Sequence, residues 1–168
     1  MDPFEWTCHP VHEGRHRTLA WARIDLDWET GETLIEEIQN DRLRDVKALL
    51  DSARAGMMDE VSRWGGTMQT SFLADCWERS LRFSRGVWDE AMVCTTLRFI
   101  ADELGLRKIF YHTPESGRIF KGIDYSEPPR SVYTDLPGKF CFKRTEQAPE
   151  FLSRKSKGGR RADFLKLE

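Results

Sequence analysis

The chain is 168 residues long, with 32% charged side chains and a net charge of −2, a size that fits one domain burying about two-thirds of its unfolded surface. From Ser153 onward six Lys/Arg stand against two acids, so an acidic body carries a basic tail, which is not the footprint of a dedicated nucleic-acid binder. No apolar run approaches the roughly 18 residues of a membrane span, and no basic-then-apolar leader opens the chain, so no membrane association is expected.

Residues 1–18 contain Pro, His and Gly without a period and read as a flexible arm. Cys8, His12 and His16 are spaced four apart, as helix-borne metal ligands would be. Pro10 and Gly14 argue against a helix there and no second ligand cluster follows, so no metal site is expected. Leu19–Trp28 then alternates, with Ala20, Ala22, Ile24, Leu26 and Trp28 on one face and Arg23, Asp25 and Asp27 on the other. Glu29-Thr30-Gly31-Glu32 forms a turn, and Thr33–Gln39 returns as the second strand of a hairpin.

The end of that second strand is unusual. Leu34–Asp41 reads Leu-Ile-Glu-Glu-Ile-Gln-Asn-Asp, which starts apolar and finishes on hydrogen-bonding groups. Alternation puts Glu37, Gln39 and Asp41 on one side, and Glu36, Ile38 and Asn40 on the other. In open α/β sheets the ligand crevice lies at such carboxyl ends. The same residues also describe a solvated edge strand running into a helix N-cap at Asp41.

From Arg42 the period becomes helical, with Leu43, Val46, Leu49/Leu50, Ala53 and Met57 on one face. A second helical stretch, Phe72–Phe83, is interrupted at Ser84-Arg85-Gly86. Trp88–Leu104 has the broadest apolar face in the chain and closes on Gly105. Cys94, inside it, reads as a core thiol, and the four cysteines, none in CxxC spacing, read as reduced thiols of a cytoplasmic protein. The short strand Arg107–His112 follows at once, so helix, Gly and strand form half of a crossover whose other strand is Thr33–Gln39.

Thr113 caps a short helix with Pro114 at its first position, ending near Gly122. Glu127-Pro128-Pro129 is an extended linker, and Ser131–Thr134 and Lys139–Thr145 are expected as two last strands around Leu136-Pro137-Gly138. Residues 153–168 are expected to be a basic disordered tail. The result is a mixed α/β sheet flanked by helices: one domain over 19–152, with a helical insertion at about 42–86.

No phosphate-cradling glycine loop and no nucleophile elbow occurs. Glu37, Gln39 and Asp41 form one candidate site, for binding a polar ligand or for general-base work. Tyr111, His112 and Thr113 would share its rim if the two strands are parallel neighbours, His112 being either a base or a structural residue. Arg118, Lys121 and Arg130 offer either a cationic rim or a solvated face.

Two resemblances follow from these residues. Ala101–Phe142, with its helix, "LGLRKIFYHT" strand, short helix and "VYTDLPGKFCF", resembles the second half of an acetyltransferase of the GNAT superfamily. That likeness implies a GNAT-like fold and a Tyr general acid at Tyr133. Separately, "LIEEIQND" is similar to the "IEEIQSD" signature of a domain in large multidomain phage and mobile-element proteins, with Asn40 in place of Ser. It marks Glu37, Gln39 and Asp41 as the functional cluster. Acetyl-CoA or another acyl donor is implied, but the pyrophosphate-loop glycines are missing, since none lies between Asp41 and Gly56.

The expected function is an acyl- or aminoacyl-transferase-like enzyme acting on an amine of a small molecule or peptide. Glu37, Tyr133 and His112 would be its catalytic residues; Gln39, Asp41, Tyr111, Thr113 and Arg118 would bind substrate. The alternative is a non-catalytic GNAT-like domain that binds a peptide or partner protein, such as a phage or mobile-element accessory protein.

Overall fold

The computed structural model describes Thr18 and residues 20–63, 66–122, 130–155 and 161–167. The arm up to residue 17, with Cys8, His12 and His16, and the Glu127-Pro128-Pro129 linker lie outside the described residues. In chain order come β1 (Trp21–Asp27), β2 (Glu32–Gln39), α1 (Asp41–Ala55), β3 (Glu60–Arg63), β4 (Gly66–Gln69), α2 (Thr70–Asp75) and α3 (Arg82–Arg98). After these follow β5 (Lys108–His112), α4 (Pro114–Lys121), α5 (Asp135–Lys139), β6 (Phe142–Thr145), α6 (Glu150–Lys155) and β7 (Phe164–Leu167). No helix among the described residues is long and apolar enough to cross a membrane.

Contacts gather the chain into two compact units, where length alone predicts one domain. Ala22–Gln39 and Asp89–Glu168 form one; Met1–Trp21 and Asn40–Trp88 form the other.

The first unit is built on a mixed five-stranded sheet of order β1-β2-β5-β7-β6. β1 and β2 are joined by the Trp28–Gly31 turn, where Gly31 takes φ +68° and the Asp27 carboxylate accepts the Glu29 N–H at 2.9 Å. So short a connection leaves only antiparallel pairing. Trp28, expected on the apolar face, sits in that turn and is 63% exposed. β2 and β5 are parallel, as the helix–Gly–strand order predicts, while β7 runs antiparallel to both β5 and β6.

β7 overturns the expectation of a disordered tail at Phe164–Leu167. Its Phe164 and Leu167 pair with His112 and Ile109 on one side and with Thr145 and Phe142 on the other. α6 likewise continues past Ser153 to Lys155. Ser131–Thr134 is not a strand: residues 130–132 make a 3₁₀ turn, and Leu136-Pro137-Gly138 falls inside α5. Pro137 is tolerated there because it lies in the first helical turn, where no intrahelical N–H bond is required of it.

Each face of the sheet has its own apolar core. Ile35, Ile109, Tyr111 and Phe142 pack with Val93 and Ile100 from the helical segment before β5. Leu34, Phe110 and Phe164 pack on the other face with Phe151 of α6 and Phe120 of α4. α3 runs straight through Ser84-Arg85-Gly86, because a glycine inside a helix lowers stability by only about 1 kcal/mol and a Cβ at Gly86 would meet open space. Cys94, expected in the core, is exposed on α3.

In the second unit α1 begins at the Asn40 cap, whose side chain accepts the Leu43 N–H at 2.9 Å. The stretch 42–86 is not helical throughout. β3 and β4 form an antiparallel hairpin with Arg63 opposite Gly66, and their Ser62 and Thr67 hydroxyls lie 3.0 Å apart. α1, β3 and α2 enclose a core of Leu50, Ala53, Val61 and Leu73.

Candidate functional site

Parallel pairing brings the carboxyl ends of β2 and β5 to one edge of the sheet. Ile35 lies opposite Tyr111, so Glu36 comes level with His112, and Glu37–Gln39 run beyond the end of β5. Ile35 and Ile38, three residues apart, both belong to one apolar core. Alternation holds up to Glu37: Glu36 pairs with Lys121 on one face, while Glu37, like Ile35, lies on the face of Tyr111 and Tyr133.

Glu37 and Gln39 do meet: the Gln39 amide donates to the Glu37 carboxylate, and the Arg23 guanidinium from β1 lies 3.9 Å from it. Tyr133, between the 3₁₀ turn and α5, is 6% exposed and turns its ring edge toward Tyr111, with centroids 5.9 Å apart. Tyr111 is wholly buried and is held on another side by Phe142 at 5.7 Å. Neither phenol oxygen has a hydrogen-bond partner among the described residues. Burial raises both phenol pKa values well above the ordinary tyrosine range. The charge of Glu37 raises Tyr133 further, while those of Tyr133 and Asp89 add to the shift of Tyr111. Both hydroxyls therefore stay protonated at any working pH, with the O–H available as a hydrogen-bond donor.

His112 belongs to a different group, on the Phe164 face of the sheet. Its ring stacks at 5.5 Å against Phe164, and its Nδ1 lies 2.9 Å from the Ser116 hydroxyl. Burial depresses its pKa to about 4, although the charge of Asp25 acts against that shift. The imidazole is neutral near pH 7, and its Nε2 has no hydrogen-bond partner among the described residues. Beside it Glu36 is 1% exposed, and one of its oxygens pairs with the Lys121 ammonium. The other oxygen, Oε2, has no hydrogen-bond partner among the described residues.

Thr113, expected to bind substrate, caps α4. Its hydroxyl accepts the Ser116 N–H at 3.1 Å and donates to the Asp163 carbonyl at 2.8 Å. The Ser116 hydroxyl accepts the Thr113 N–H in return, completing a capping box. Asp41 belongs to the other compact unit, as the first residue of α1; its carboxylate accepts the Trp21 indole N–H at 2.8 Å and pairs with Arg44 at 2.7 Å. Arg118 is exposed on α4, and the side chain of Arg130 is outside the described set.

No family model, curated protein or solved structure matches the chain. Glu37, Gln39, Tyr111 and Tyr133 combine one carboxylate with two fixed phenol donors at the sheet edge. Sequence reasoning missed Arg23 and Asp89, whose charges reach this group from β1 and α3, because nothing in the linear order links them to it. It also passed over Glu36; a second carboxylate in Ile-Glu-Glu-Ile, where an alternating strand has room for one outward acid, was the available signal. Among the described residues no three His, Cys, Asp or Glu gather as metal ligands.

Proposed function

We propose that the edge formed by β2 and β5 is the site of an acyl- or aminoacyl-transferase-like enzyme acting on an amine nucleophile. Tyr133 carries the reading: a buried phenol lies within the electrostatic reach of a carboxylate, Glu37, at the end of a central strand. Glu37 takes a proton from the attacking amine as its nitrogen bonds to the acyl carbon. The bond from that carbon to the leaving group breaks, and Tyr133 supplies the proton the leaving group needs. The GNAT-like order of long helix, short strand and short helix supports this reading over residues 82–121. His112 has no part in it, since its ring lies on the opposite face of the sheet from Tyr111.

The acyl donor is bound differently from a conventional CoA enzyme. Between β2 and α1 stands the Asn40 cap rather than a glycine loop, so the backbone offers no close approach to a pyrophosphate. That same feature, with phenol oxygens closed to solvent, favours as second reading a non-catalytic GNAT-like domain that binds a peptide or partner protein.

Thermal shift with acetyl-CoA, CoA and aminoacyl analogues separates the two. A donor at a hundred times its Kd stabilises by about 2.7 kcal/mol. Glu37→Gln and Tyr133→Phe are each expected to abolish acyl transfer, followed as free-thiol or alcohol release, without lowering Tm. If no donor shifts Tm and both variants merely destabilise, the transferase reading fails.

A further inference from the structure

The two phenols raise a question the transfer step leaves open, because that step needs only one of them. Tyr111 and Tyr133 each bury an O–H with no acceptor among the described residues. A buried donor without an acceptor is costly to keep, and here two occur on rings in contact, 5.9 Å apart. Tyr111 is held edge-on by both Tyr133 and Phe142, and neither phenol oxygen reaches solvent.

We propose that Tyr111 and Tyr133 form a paired hydroxyl site for a neutral carbonyl oxygen, so that the amine accepted beside Glu37 belongs to an α-amino amide, as at the amino end of a peptide. Tyr111 is then a positioning residue that fixes the ligand's carbonyl, and Tyr133 has that task besides its proton. An anionic acceptor is disfavoured: Glu37 acts on Tyr133 and Asp89 on Tyr111, Arg23, one cation against these two carboxylates, lies 3.9 Å from Glu37, and a ligand carboxylate would add to the excess of negative charge. Those carboxylates favour an ammonium, while the phenols favour the carbonyl next to it. This assignment rests on the reading of Glu37 as the amine-binding group.

Binding of three probes to the full chain, followed by thermal shift without any acyl donor, tests the ligand class. Alaninamide carries amine and carbonyl, propylamine the amine alone, and N-acetylalanine a carboxylate without an amine. Alaninamide is expected to shift Tm more than propylamine, and N-acetylalanine not at all. Tyr111→Phe should erase the advantage of alaninamide over propylamine while leaving the propylamine shift intact. In the free protein the same variant should raise Tm by about 2–4 °C, because it removes an unsatisfied donor. A lower Tm for free Tyr111→Phe, or equal shifts from alaninamide and propylamine, overturns the proposal. Failure of acyl transfer with these probe shifts intact would sink the enzyme and leave the binding site standing. The reverse pattern would do the opposite.

Discussion

Glu36 places a carboxylate 1% exposed under α4, and the Lys121 ammonium answers it from a side chain 29% exposed. Taking away the cation of such a pair strands a charge where water cannot reach it. Lys121→Ala should therefore cost about 3 kcal/mol, the low end for a broken buried pair because Lys121 is partly exposed. Adding Glu36→Gln to that variant should restore much of the loss, and urea denaturation of the single and double variants checks both figures. His112 sets a pH window of its own. Its pKa is about 4 in the folded chain against 6.5 unfolded, so the unfolded state binds the extra proton first as pH falls. The stability contributed by the neutral ring is complete above pH 6.5 and is lost progressively toward pH 4, by about 3 kcal/mol in all. His112→Leu should flatten the urea midpoint between pH 7 and pH 4.5; an unchanged slope would mean the ring is not buried neutral.

Among the elements, α4 and β7 show what a linear reading can and cannot reach. α4 was legible from end to end because its signals are local: a Thr113 cap, Pro114 at the first position, and Gly122 at φ +63° to close it. The hairpin of β1 and β2, and the parallel partnership of β2 with β5, followed from alternation and from a helix that ends on Gly105. β7 had no such signals. Phe-Leu-Lys-Leu after a run of Lys, Arg and Gly resembles a solvated tail, and it becomes a strand only because β5 and β6 offer it partners on both sides. β3 and β4 escaped for a related reason, being four residues each with side chains that are mostly exposed or only partly buried. The fully buried Phe164 anchors β7 between His112 and Phe120. Phe164→Ala should cost about 3–5 kcal/mol, read from the urea midpoint. A cost under 1 kcal/mol would show that β7 is not a working part of the sheet.

For the molecule as a whole, the chain passes between the two compact units three times, at Trp21/Ala22, Gln39/Asn40 and Trp88/Asp89. The expected insertion at about 42–86 lies within the Asn40–Trp88 stretch, but the passages inside β1 and inside α3 carry no Pro- or Gly-rich linker to mark them. Of the residues named for the candidate site, Glu37 and Gln39 bond as their spacing implies, whereas nothing in the linear order signals the contact of Tyr111 with Tyr133. Asp41 parts from Glu37 and Gln39 because the chain turns into α1 at the Asn40 cap, which carries Asp41 into the other compact unit. The position of β7 also decides what its loss would uncover. Without Phe164–Leu167, β5 keeps only β2 as a neighbour and β6 has none, so both strands present bare backbone to any other chain that can pair with them.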